Sequence, residues 1–204
     1  KDYFSSFYMK DLEEDINFKR FFNKIKKFIK KNDKILDYGC GDGKFLRILK
    51  NKNFDLYGSD LPGTMLNNLI KNNLNIISMD TLSQNQSFFN LIYLRDVFEH
   101  SRKPKQLIDD LNQLLVNKGY LVIDGPVEKN FSLINYSVII NYKLKKFFKK
   151  NVYENPPYHL SIYSKNQLIN FINNNNFNVK DFELYEAGWP LEGKGFMKDL
   201  IVKI

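Results

Sequence analysis

Apolar residues along the chain alternate between short continuous runs and longer stretches with helical spacing. In residues 13–31, EEDINFKRFFNKIKKFIKK, Ile16, Phe18, Phe21, Phe22, Ile25, Phe28 and Ile29 recur at that spacing with lysines between them, which predicts an amphipathic helix. KILDY (34–38) predicts a buried strand, and GKFLRILKNK a helix with Phe45, Leu46 and Leu49 inward. FDLYGSD (54–60) reads as a second strand and PGTMLNNLIKNN as a helix with Pro62 in its first turn. LNIISMD (74–80) predicts a third strand and FFNLIYL (88–94) a fourth. PKQLIDDLNQLLVNKG puts Leu107, Ile108, Leu111, Leu114 and Leu115 on one helix face and Gly119 at its end, before a fifth strand, YLVIDG (120–125). Short apolar strands separated by helices predict an α/β fold, its parallel sheet covered on both faces.

Beyond Pro126 the alternation breaks. Residues 131–158 predict a helical insertion ending in a turn at Pro156-Pro157, followed by a helix at 164–175 and a strand at 177–186. For the last residues, FMKDLIVKI, periodicity allows a strand or a helix. With no internal repeat and no flexible linker, the 204 residues read as one domain, 1–204, large enough to bury its own core.

Composition narrows the class only slightly. A hydrophobic share of 43% with 15% aromatics is that of a globular chain. Cys40 is the single cysteine, so no internal disulfide can form. KDYFSSFY lacks a signal-peptide layout and no apolar run is long enough to span a bilayer, so the expectation is a cytoplasmic protein without a transmembrane segment. The net charge of +8 comes from lysine, accompanied by abundant Asn, Ile, Phe and Tyr, a joint bias typical of AT-rich coding sequence. Nucleic acid is therefore not the expected partner.

The candidate chemistry starts at residues 34–46, KILDYGCGDGKFL, where a strand, a glycine loop and a helix follow one another. Such a loop makes a nucleotide-sized notch at the carboxyl edge of a parallel sheet. The Walker A spacing is absent, and the dinucleotide pattern G-x-G-x-x-G would need glycine where Lys44 stands. Asp37-Tyr38-Gly39-Cys40-Gly41-Asp42-Gly43 matches acidic-x-G-x-G-x-G instead. On these residues the chain resembles the class I S-adenosylmethionine-dependent methyltransferases of small-molecule type, in the ubiquinone-biosynthesis-like and methyltransferase-domain-23-like branch. Two later stretches extend the resemblance: NLIYLRDVFEH (90–100), with Asn90 where the family usually has Asp, and LLVNKGYLVIDGP, with Asn117-Lys118-Gly119-Tyr120 at its turn.

The resemblance implies a Rossmann-like three-layer α/β/α sandwich with a mostly parallel central sheet and a helical insertion after the fifth strand. It implies S-adenosylmethionine as cofactor and S-adenosylhomocysteine as product. Gly39, Cys40 and Gly41 would pack against the methionine part, and Asp37 would orient its amino group. Asp60 would bind the ribose hydroxyls, with a helix N-cap as its simpler role, and Leu61 would touch the adenine face. Asp80, which could equally be an exposed turn acid, and the backbone near Thr81 would bind the adenine amino group. Leu94 and Arg95 would meet the methionine end, mainly through backbone. Cys40 reads as a small spacer, since no histidine lies nearby in sequence to activate it.

On the acceptor side, His100 and His159 are the catalytic candidates, because a hydroxyl acceptor must lose a proton. Glu99-His100 could instead cap the following helix, and His159 could anchor the return from the insertion. Residues 1–32 read as an N-terminal helical cap and 127–158 as a substrate lid, where Tyr136, Tyr142, Tyr153 and Tyr158 could stack on a ring. The lysines of YKLKKFFKK leave peripheral membrane contact open. The expected acceptor is a small molecule, first a hydroxyl of a sugar, nucleotide-sugar or polysaccharide precursor, then a quinone or lipid precursor. A non-catalytic cofactor-binding partner protein is the alternative of a different class. The oligomeric state is not readable.

Overall fold

The computed structural model describes residues 22–71, 73–127, 160–161, 163–185 and 197–203. Its core is a six-stranded sheet made of β1 (Lys34–Tyr38), β2 (Asp55–Ser59), β3 (Phe89–Arg95), β4 (Leu115–Gly125), β5 (Asn178–Tyr185) and β6 (Met197–Lys203), in the order β2-β1-β3-β4-β6-β5. The first four are mutually parallel, and β6 lies antiparallel between β4 and β5. The C-terminal residues, for which periodicity allowed either element, form a strand.

Helices α1 (Lys44–Leu49), α2 (Thr64–Lys71), α3 (Met79–Leu82), α4 (Pro104–Leu114) and α5 (Lys165–Asn173) connect these strands. Side chains alternate across the sheet, as the two-residue period of a strand requires. Leu36, Ile92, Leu94, Leu121 and Ile123 join α4 and α5 in one apolar cluster. Ile35, Leu91, Tyr93 and Val122 join α1, α2 and the segment carrying Ile25 and Ile29 in the other. That layering makes the runs in KILDY and NLIYL apolar on both faces. Lys24 and Lys27 pair with Glu183 and Asp181 at 3.0 and 3.1 Å, tying the N-terminal segment to β5.

Of the helix predicted over residues 13–31, the described part is helical only at 22–25, and two further expectations fail. Residues 74–80 form no strand. A single parallel bridge joins Ile76 to Gly58, and Ser78 then caps the short helix α3 through the Asp80 amide. Gly58 makes the close pass, since a Cβ there would lie 2.9 Å from Ile76 and 2.6 Å from Leu46. The helix predicted to run toward Gly119 stops at Leu114, because Leu115 is extended and pairs with Phe89. The register then shifts before Leu91 meets Tyr120, and Lys118 turns the intervening residues at φ 63°. Asn90 replaces aspartate without loss, since its side-chain oxygen accepts the Lys34 amide at 2.9 Å.

The strand order places the site. From β1 the chain moves outward to β2, then returns to β3 on the other side of β1. The crevice at the carboxyl ends of β1 and β3 is thus a topological switch point, where open α/β sheets bind ligands.

Candidate active site

The glycine loop occupies this switch point. Gly39, Gly41 and Gly43 all have left-handed backbone, at φ 79°, 51° and 74°. For Gly39 the requirement is double, because an added Cβ would fall 2.4 Å from Val97 Cγ2. Above Gly41 no described residue comes within 4 Å of such a Cβ. The Ser59 carbonyl fixes the loop by accepting the Gly39 and Cys40 amides at 2.7 and 3.1 Å. Asp60 completes it, one carboxylate oxygen accepting the Gly41 amide and the other the Leu61 amide, both at 2.6 Å. Charge-assisted bonds of this kind stabilise by about 1.5–3 kcal/mol each when well enclosed. Arg47 clamps the far side of the loop through the Asp42 carbonyl and carboxylate.

Asp37 lies beneath the loop, 4% exposed. Burial, with the Asp60 carboxylate next in weight, pushes its carboxyl up from 3.8 to about 8. Cys40 is buried, its Sγ near Gly58, and its thiol is pushed up to about 12 by burial and the neighbouring acids. Such a thiol is a packing group and no nucleophile at neutral pH.

The loop thus gathers Asp37, Gly39, Cys40, Gly41, Asp60 and Leu61, and Leu61 stands 74% exposed at its rim. Asp80 and Thr81 sit beyond the Gly58–Ile76 bridge in the first turn of α3, both exposed. Leu94 is sealed in the core, so only its backbone can face a ligand. Arg95 reaches Asp124 at 3.7 Å and Asp96 at 3.8 Å. His100 is exposed at the end of a 3-10 turn, Phe98–His100. His159 and the lid at 127–158 lie outside the described residues, apart from Val127, which bridges to Tyr163.

Sequence reasoning passed over the groups behind His100. Asp96 leaves β3 at φ 51°, its amide held by the Asp124 carbonyl at 2.8 Å. Val97 then packs on Gly39, and Phe98 and Glu99 turn inward, each 3% exposed. The Glu99 carbonyl accepts the amides of Leu160 and Ser161 at 2.9 and 3.0 Å, so it latches the chain where it returns from 128–159. Asp124 is also buried, and Tyr93 donates its hydroxyl to it at 3.0 Å. The usable signal was FEH itself: an acid between an aromatic and a histidine directly after a buried strand.

Comparison with known proteins gives a family match and a fold. A family model described as a methyltransferase domain matches residues 10–181. The fold is similar to that of a SAM-dependent methyltransferase from Methanosarcina mazei, at 16% identity and TM-score 0.66, covering 88% of this chain and 96% of that one. It is also similar to a SAM-dependent methyltransferase from Archaeoglobus fulgidus, at 16% identity and TM-score 0.65, with 95% of each chain covered. Magnesium protoporphyrin IX methyltransferase from Synechocystis, solved with bound SAH, matches at 13% identity and TM-score 0.64, over 92% of this chain and 80% of that one. A search of curated proteins found no match.

Proposed function

The chain belongs to the methyltransferase-domain family, and on that premise we propose that it transfers a methyl group from S-adenosylmethionine to a hydroxyl of a small molecule. The acceptor is a sugar, a nucleotide-sugar or a polysaccharide precursor. One observation carries the donor assignment: a loop of left-handed glycines set between a buried acid near the end of β1 and an acid after β2, with no described residue above Gly41.

The donor set fits that ligand. Each Asp60 oxygen uses one lone pair on a loop amide and keeps another for a ribose hydroxyl. Leu61 offers an exposed apolar surface to the adenine. Asp42 and Asp60 flank the loop with carboxylates, and a bound ammonium or sulfonium would draw the protonated Asp37 toward its ionised form, which suits a cationic ligand. Asp80 and the Thr81 backbone remain candidates for the adenine amino group, with Leu94 and Arg95 at the methionine end. Asp80 would have to be reached from solvent, since it is exposed.

Bound S-adenosylmethionine supplies an activated methyl group on a good leaving group. The chain must align the acceptor, exclude water and remove one proton. The switch point gives alignment a rigid base, because both sides of the crevice rise from adjacent parallel strands. The tyrosines of 127–158 would supply ring surfaces for a sugar if that segment forms the lid read from the sequence. As for the setting, no helix among the described residues is long and apolar enough to cross a membrane.

A labelled-methyl screen tests the acceptor class. The protein, S-adenosylmethionine with a deuterated methyl group, and a panel of nucleotide-sugars, free sugars, catechol and short quinone precursors are read by mass spectrometry. Label in a sugar hydroxyl supports the reading. Label confined to the quinone precursors reassigns the acceptor, and S-adenosylmethionine binding with no labelled product favours the non-catalytic partner.

A further inference from the structure

We propose that Glu99 is the proton acceptor of methyl transfer: its enclosed carboxylate, beside the glycine loop at the carboxyl ends of β3 and β4, takes the hydroxyl proton of the methyl acceptor. This rests on the methyltransferase reading above and assigns the step for which the sequence offered His100 and His159.

Position comes first. Val97 touches Gly39, so the turn carrying Glu99 is packed directly against the loop that would hold the donor. Glu99 lines a small hollow with Phe98, Gly125, Pro126, Val127 and Tyr163. Among the described residues it has room for about one water molecule, the size of the hydroxyl group that must react. Gly125 makes the approach, since a Cβ there would stand 3.1 Å from Glu99 Oε2. The Glu99 carbonyl accepts the amides of Leu160 and Ser161, which fixes the backbone that carries the carboxylate. His100, by contrast, is exposed.

The surroundings suit proton transfer. Burial, with Asp96 and Asp124 adding like charge, raises the Glu99 carboxyl from 4.5 to about 7. A base poised near the working pH is the most effective kind. Among the described residues, the charged groups around it are Asp96 and His100 on its own turn, Asp124 on β4, and Arg95, which lies between Asp96 and Asp124. From α5 only apolar Leu168 lines the hollow, while Lys165 lies over the Phe182 ring. In the step, the acceptor oxygen gains the methyl group and the carbon–sulfur bond breaks with its electron pair left on sulfur. The hydroxyl proton passes to the ionised Glu99 carboxylate, which later releases it to water.

The test needs no knowledge of the acceptor. The full chain, labelled with carbon-13 at glutamate carboxyls, is titrated across neutral pH with S-adenosylhomocysteine bound and again with S-adenosylmethionine. The two ligands differ by a methyl group and one positive charge at sulfur. A Glu99 carboxyl facing the transferred methyl will titrate about one unit lower with S-adenosylmethionine, as expected for a nearby cation. Glu99→Gln, assigned as the signal that disappears, should keep its affinity for S-adenosylhomocysteine within about threefold and, above pH 7, lose up to about tenfold for S-adenosylmethionine, the factor that a one-unit shift implies. A midpoint that moves by less than about 0.2 unit while calorimetry shows both ligands bound overturns the proposal and leaves the donor reading standing. Failure of both ligands to bind wild type overturns the donor reading, and this one with it.

Discussion

The glycine loop after β1 and the turn after β3 meet at Val97, yet they are built in opposite ways. The loop is a backbone device, in which left-handed glycines, the Ser59 carbonyl and the Asp60 carboxylate orient main-chain amides. The turn is a side-chain device, in which Phe98 and Glu99 are driven inward and Glu99 lies on the bare backbone of Gly125. The first tolerates few residue types at each position. The second depends on what arrives from distant segments, above all from residues 160–163. A donor common to a whole family suits a fixed backbone cradle, and an acceptor that differs among members suits a pocket closed by variable chain.

The largest expected effect separates the two buried acids by pH. Asp37 is protonated in the folded protein up to about pH 8 but ionises near 3.8 when unfolded, so it contributes stability that is lost as pH rises through that window. Glu99 acts with the same sign between 4.5 and about 7. Urea titrations at several pH values should show stability falling by an amount on the order of several kcal/mol from pH 4 to 8. Asp37→Asn should abolish the decline above pH 7 and leave part of it below. A variant as steep as wild type above pH 7 would place the proton elsewhere.

Next in size is a contrast within the loop. Gly39→Ala combines a left-handed φ with a clash against Val97 and should lose about 3 kcal/mol. Gly41→Ala, with no described residue above it, should lose only about 1 kcal/mol. Equal urea midpoints for the two variants would mean that the Gly39–Val97 contact does not hold the sides together. Smaller again, Asp60→Asn keeps the size of the side chain but offers one acceptor oxygen where two are used. Its affinity for S-adenosylmethionine should fall about tenfold, equivalent to about 1.4 kcal/mol by titration calorimetry. The smallest effect belongs to Gly125→Ala, whose Cβ only nudges the Glu99 carboxylate. Stability should change by less than about 1 kcal/mol, yet the Glu99 titration midpoint should move, which a purely structural contact would not require.

How much of this could be read from the sequence follows the same division. The tight turn between β1 and α1 was legible because the glycine motif needs left-handed backbone within a short span, whereas the ligand roles of Asp37, Gly39, Gly41 and Asp60 come from the resemblance. β1, β3 and the second half of β4 were legible because burial on both faces leaves continuous apolar runs. Residues 74–80 misled because LNIIS is apolar like a strand, while Asp80 and Thr81 belong to a capped helical turn that takes the chain away after one bridge. The antiparallel place of β6 between β4 and β5 had no local signature at all. In the sequence Glu99 reads only as part of a helix cap, for the same reason. Its burial depends on Gly125 and on the chain returning at Leu160, both far along the sequence.

The most direct test is thermal unfolding of wild type and Asp60→Ala with S-adenosylmethionine, S-adenosylhomocysteine or NAD at about 100 times an expected dissociation constant, where a bound ligand stabilises by about 2.7 kcal/mol. The donor assignment predicts stabilisation by the two adenosyl-sulfur ligands, little or none by NAD, and a reduced effect in Asp60→Ala. Stabilisation by NAD alone, or no response to S-adenosylmethionine, would contradict it.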